Sequence, residues 1–278
     1  MAQTASGTTT VGKFVGAGLL SGLIAGIVAF VFARIFIEPQ VAKAIDYEEG
    51  RSHAEEMLSG EHGHEHEVFT RAVQENVGAA IGTIGFALAM GAFFAVAFTI
   101  LWAYIGRRYP AADPRWVSAA LTVIGFVAVV GVPFFVYPPN PPAVGNDDTI
   151  GSRSGSYLTL TLISVAAAVV ATILALWLRP RIGGLLSAVG AAIGYLVVIT
   201  ITAALLPNFD EIPLPVTNDA GQIVYPGFPG DVIGLFRTYS IANQVILWTV
   251  LGVIFALVLG WLSRRAKEVE ATPESVAV

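Results

Sequence analysis

The amino-acid sequence predicts an all-α polytopic membrane protein of six transmembrane helices with both termini cytoplasmic. Three observations predict it. Of the 278 residues, 55% are hydrophobic and only 13% charged, a balance too apolar for a soluble domain. The apolar residues fall into six runs, each near or above the ~20 residues that cross a hydrocarbon core about 30 Å thick. Basic residues gather in alternate connections, as they do on the cytoplasmic side of a membrane.

The first run, residues 14–37, places Gly18, Gly22 and Gly26 at every fourth position, so one helix face is bare backbone that a neighbouring helix can approach. Lys13 before it and Ala42-Lys43-Ala44 after it resemble a signal peptide, but the run is long for a signal core. Residues 38–74 then read as an extracytoplasmic loop rich in His and Glu. The second span is expected at residues 75–104, with Gly78 and Gly82 as a close-packing pair, and it ends at Arg107-Arg108. Pro110 and Pro114 make a tight turn into the third span, residues 116–137. Four prolines in residues 137–153 exclude helix there.

The fourth span, residues 157–178, returns through Arg179-Pro180-Arg181 into a fifth, residues 182–206, where Gly190 and Gly194 form a small-residue face. Residues 207–239 read as a second extracytoplasmic loop, with an interfacial helix over residues 231–239. The sixth span covers residues 240–262, and residues 264–278 read as a disordered cytoplasmic tail. The whole chain, residues 1–278, is expected to form a single integral membrane domain.

The N-terminus, the two short connections and the C-terminal tail hold nine basic residues (Lys13, Arg107, Arg108, Arg115, Arg179, Arg181, Arg264, Arg265, Lys267) against four acidic ones (Asp113, Glu268, Glu270, Glu274). The positive-inside rule makes that face cytoplasmic and leaves the opposite face strongly acidic. Such a field attracts cations rather than nucleic acid.

Candidate chemistry concentrates in the first loop, which holds every histidine: His53, His62, His64 and His66. Cysteine is absent, so a metal site must use imidazole and oxygen. In an extended chain His62, His64 and His66 point one way while Glu61, Glu65 and Glu67 point the other. His53, His62, His64, His66, Glu61 and Glu65 are therefore the candidate ligands for Co²⁺, Ni²⁺ or Zn²⁺, set against the plain alternative of a solvated acidic loop. No Asp, Glu, His or Lys lies deep in a span, so a cation path would have to use waters, backbone carbonyls or side-chain oxygens. Glu75, Asp231, Asn243 and Gln244, at or near the outer ends of the second and sixth spans, are the candidates. No Ser/His/Asp set, phosphate loop or zinc-protease motif stands near a membrane face, so an enzyme is not expected.

The segment Tyr137-Pro138-Pro139-Asn140-Pro141-Pro142-Ala143-Val144-Gly145-Asn146-Asp147-Asp148-Thr149-Ile150-Gly151, followed by Arg153, resembles the proline-rich loop of CbtA, a family of predicted cobalt transporter subunits. Phe228-Pro229-Gly230-Asp231, Phe236-Arg237 and Asn243-Gln244-Val245-Ile246-Leu247-Trp248 are similar to the same family, as is the glycine-rich first span with Glu38-Pro39 and a His/Glu-rich segment after it. The likeness departs at Gly230 and at Gly234-Leu235. It implies a bacterial or archaeal protein of the cytoplasmic membrane associated with cobalamin metabolism, partnered by a small single-span protein that bears histidines. Co²⁺ would be the substrate, with no permanently bound cofactor. Two readings follow: a permease-like protein that takes the cation inward, or an accessory component with no ion path of its own.

Overall fold

The computed structural model describes residues 2–60 and 70–271. The element order is α1 (Ala2–Phe32), a π turn (Ala33–Ile37), α2 (Glu38–Ser59), α3 (Arg71–Val73), a π turn (Gln74–Gly78) and α4 (Ala79–Arg108). Then come α5 (Pro114–Phe126), a π turn (Val127–Gly131), α6 (Val132–Val136), a 3₁₀ turn (Asp147–Thr149), α7 (Ile150–Ile182), α8 (Gly184–Leu205), the strands β1 (Val216–Thr217) and β2 (Ile223–Tyr225), and α9 (Gly230–Ala271). Among the described residues six helical stretches are long and apolar enough to cross a membrane: Val11–Ser59, Gln74–Arg108, Pro114–Val136, Asp147–Ile182, Gly184–Leu205 and Gly230–Arg265. The fold is all-α, and the six expected spans are present.

Several segments are more helical than the sequence reading has them. Helix α7 begins at Ile150, inside the stretch from which the prolines are expected to exclude helix, because the last of them is Pro142. Three further segments differ in the same direction. Glu38–Ser59 is a helix rather than a loop. Pro39 occupies its first turn, where a missing N–H costs nothing. Gly60 ends it in the left-handed conformation, donating its N–H to Glu56 O. Gln40, Ala44, Tyr47 and Ala54 bury a single stripe between these ends, which a charge-rich composition conceals. Second, the expected interfacial helix over residues 231–239 continues without a break into the last span, because no proline interrupts Gly230–Ala271. Third, that helix runs on through Ala271, into the stretch read as a disordered tail.

The chain divides into two compact units. One comprises Met1–Phe32, Arg71–Val123 and Asn243–Val278. Its α1 and α4 run antiparallel at backbone contact. A Cβ on Gly18 would collide with the carbonyl of Gly91 and come within 2.7 Å of Ala95 Cβ, and one on Gly26 would sit 2.9 Å from Ala87 Cβ. The glycine stripe of α1 is thus a helix-packing face, as expected. Its partner is Gly91 with Ala87 rather than Gly78 or Gly82, around which a Cβ would meet only Val73 O at 3.7 Å or nothing. Phe94 and Phe98 of α4 each meet Phe255 of α9 edge-on, with centroids 5.0 Å apart, and this cluster forms the core. At the start of α5, Asp113 accepts the Arg115 backbone N–H at 2.9 Å as an N-cap, with Pro114 at the first helical position. The hydrogen bonds from Arg115 hold the Asp113 carboxyl below the usual carboxylate range.

The other unit comprises Ala33–Thr70 and Ile124–Ala242. Here α8 lies along α7, with Tyr195 and Ile199 packed against Ala168 and Ala128. At Gly190 and Gly194, expected to form a packing face, an added Cβ would meet nothing within 4 Å among the described residues. The remainder is a polar-shelled body formed by α2, the proline-rich segment, the antiparallel β1–β2 ribbon and the first turns of α9.

Candidate functional site

Three polar features stand out, and each grows from a local backbone constraint. The first joins the proline-rich segment to the start of α9. Arg237 donates from Nη2 to Asn140 Oδ1 at 2.7 Å and from Nε to Pro139 O at 3.3 Å, so one guanidinium holds a stretch whose prolines lack N–H donors of their own. Val144 is buried with Phe228, Val232, Ile233, Ala44 and Tyr47. Two segments about ninety residues apart in sequence therefore form one body.

Glu211 braces it from the following loop. Its carboxylate accepts from the Asn146 backbone N–H at 3.0 Å and from the Thr149 hydroxyl, and it lies 3.2 Å from Arg153 Nε. The Arg153 approach is an ion pair without hydrogen-bond direction, since Nε is sealed from solvent and makes no directed bond. Both side chains are largely covered, 24% exposed for Arg153 and 14% for Glu211. Gly145, at φ +145°, lets the guanidinium lie against its backbone, and a Cβ there would come within 2.6 Å of Nη2. On the other side, Arg51 of α2 donates to Leu214 O at 2.7 Å and pairs with Glu55 at 2.9 Å, while Tyr47 donates to Pro226 O at 3.1 Å.

The second feature is the polar turn of α9. Asn243 heads the row Leu247, Leu251, Phe255 and Leu259, spaced four apart and each at most 3% exposed. Gln244 heads the neighbouring row, with Trp248 and Gly252, whose backbone abuts Thr122 of α5. Both amides are thus on the packed face of the helix. Asn243 Oδ1, Gln244 Oε1 and Trp248 Nε1 are sealed from solvent and have no hydrogen-bond partner, as is Ser118 Oγ on α5. Each such group costs roughly 1–3 kcal/mol. Asn243 lies about 32 Å along the helix from Arg264, close to the thickness of a hydrocarbon core.

The third feature lies at the π turn after α5. Val132 N–H reaches back five residues to Val127 O, and the next donor in that register would serve Ala128 O. That next residue is Pro133, which has no N–H. Ser164 of α7 supplies the missing donor at 2.7 Å, and its oxygen is 2.8 Å from the Tyr195 hydroxyl of α8. Ser164 has one proton and gives it to Ala128, so Tyr195 is the donor between the two hydroxyls.

The expected ligands fall differently. His53 is on α2, its side chain 79% exposed and its Nδ1 3.8 Å from Glu56 Oε2. His62, His64, His66, Glu61 and Glu65 lie outside the described residues. Among the described residues no group of three His, Asp or Glu side chains converges to hold a metal ion. Glu75 stands in the π turn Gln74–Gly78 and accepts from Asn76 Nδ2 at 3.2 Å. Asp231 is exposed in the first turn of α9. Sequence reasoning singles out Asn243 and Gln244 as candidates and does not single out Ser118, Glu211 or the Ser164–Tyr195 pair. Only the proline five residues after Ala128 could have pointed to the last of these.

No curated protein and no solved structure matches this chain. The family model described as the probable cobalt transporter subunit (CbtA) matches residues 11–260, a stretch that includes the first five spans, most of the sixth, the proline-rich segment and the polar turn of α9. Nearly the whole length is thereby accounted for, and the chain belongs to the probable cobalt transporter subunit (CbtA) family.

Proposed function

We propose that this chain is the membrane component through which Co²⁺ is taken up across the cytoplasmic membrane. His53 and the His/Glu-rich segment, with His62, His64, His66, Glu61 and Glu65, gather the cation on the extracytoplasmic side. The polar turn at Asn243 and Gln244 forms the entrance, and Glu75 and Asp231 add negative charge at the outer helix ends. The family supports the cargo, and the arginine bias supports the sidedness.

The observation that carries the path reading is the pair of orphaned amide oxygens on the packed face of α9. A membrane helix gains nothing structurally from two unsatisfied acceptors, whereas a cation entering hydrocarbon needs oxygens to replace its water. Below them the row turns wholly apolar and passes through the Phe94–Phe98–Phe255 cluster, so this conformation is closed and conduction requires α9 to shift. The same closure favours a second reading, an accessory component that steadies or loads another channel.

Radiolabelled Co²⁺ uptake into proteoliposomes that hold only this chain decides between them. The path reading expects uptake by the wild type, reduced about tenfold or more by Asn243→Leu with Gln244→Met. That variant should at the same time melt higher than the wild type, because two orphan acceptors are removed. Changing His62, His64 and His66 together to Ala should raise the half-saturating cobalt concentration and leave the maximal rate in place. Absence of uptake by the wild-type chain alone selects the accessory reading.

A further inference from the structure

A shallow groove runs along one face of α4 near its C-terminal end, lined by Ile100, Ala103, Tyr104, Arg107 and Arg108. These residues recur at three- and four-residue intervals, so they form a single stripe on the helix. Its first part is apolar and outward-facing, with Ile100 69% exposed and Tyr104 52%. Its other end carries two adjacent guanidinium groups.

Three other arginines at helix ends are already engaged. Arg115 pairs with Asp113 at 2.7 Å, Arg181 lies over the Trp177 ring at 3.8 Å from its centroid, and Arg265 lies over Trp261 at 4.2 Å. Arg108 is only loosely placed over Tyr109, at 5.5 Å, and Arg107 has neither a ring nor a carboxylate partner among the described residues. A stripe that is apolar for about 6 Å, from Ile100 to Tyr104, and ends in uncompensated positive charge matches one kind of molecule in a membrane.

We infer that this groove binds an anionic diacylphospholipid, its phosphate held by Arg107 and Arg108 and one acyl chain lying along Ile100 and Ala103. Guanidinium groups suit the phosphate because they offer paired donors as well as charge. Tyr104, between the two parts, suits the boundary where an apolar ring meets a polar headgroup. A zwitterionic lipid fits the stripe equally well but brings its own cation to the arginines, so the site should discriminate by headgroup charge.

Native mass spectrometry of the full chain, released from bilayers of equal phosphatidylglycerol and phosphatidylcholine, tests this. The wild type should retain phosphatidylglycerol over phosphatidylcholine, and Arg107→Gln with Arg108→Gln should lower that preference by about tenfold. Because losing both charges can disturb insertion, Ala103→Phe provides a second route: it fills the groove and leaves the arginines, and it should lower retention of phosphatidylglycerol as well. Equal retention of the two lipids by the wild type, or an undiminished preference in both variants, overturns the inference. So does displacement of the lipid by millimolar inorganic phosphate, which would mean that the arginines select a soluble anion and the groove plays no part.

Discussion

Glu211 is the residue on which the polar body of the second unit turns. Its carboxylate serves three groups of the proline-rich segment, and the prolines explain why one acceptor matters so much. A stretch that cannot form a ladder of its own must be held by side chains. Glu211→Gln keeps an acceptor for Asn146 or Thr149 and leaves Arg153 half-buried without a counter-charge. A fully buried broken pair costs about 3–5 kcal/mol, and partial exposure here reduces the expected loss to about 1–3 kcal/mol. Thermal unfolding in detergent should show that loss, and Arg153→Met added to it should restore part of the stability. A double variant no more stable than Glu211→Gln alone would mean that the pair is incidental. None of this was legible from composition, because Glu211 and Arg153 are ordinary loop charges until the fold brings them together.

At the scale of elements, what the sequence discloses and what it hides separate by physical cause. The six spans are legible because the bilayer imposes one length and one polarity on each. The α1 stripe is legible too, since glycines four apart have few other uses in an apolar helix. Gly190 and Gly194 have the same spacing, and no neighbouring helix closes on them among the described residues, so spacing shows only that close approach is possible. The helix α2 stays hidden because its buried stripe is spread thinly through charged residues, and the π turns because they depend on one inserted residue. The π turn after α5 yields a direct test. If Ser164 serves Ala128 O because Pro133 does not, Ser164→Ala should destabilise the protein by roughly 1 kcal/mol. Pro133→Ala should offset much of that, by returning a backbone N–H. Additive effects in a double-mutant cycle of these two positions would refute the substitution of one donor for the other.

For the whole molecule, the functional reading depends on which side of the membrane each polar region faces. Helix α9 has 42 residues and is about 63 Å long, roughly twice the hydrocarbon thickness, so one end must stand well clear of the bilayer. The packing of Val232 and Ile233 with Val144, Tyr47 and Phe228 identifies its N-terminal turns as that end, since a folded polar body surrounds them. On the proposed sidedness this body is extracytoplasmic, which is where a captured cation would need it. The chain has no cysteine, so single cysteines report sidedness without background. Ser59→Cys lies at the exposed end of α2, next to the His/Glu-rich segment, and Ala111→Cys lies in the exposed turn between α4 and α5. A membrane-impermeant maleimide applied to intact cells should label the first and spare the second, and permeabilisation should bring the second to full labelling. The reverse pattern would place the histidines in the cytoplasm. An uptake role for them would then fail even if the amides of α9 were still required for cobalt movement, because a collector on the inner face could serve only export or storage.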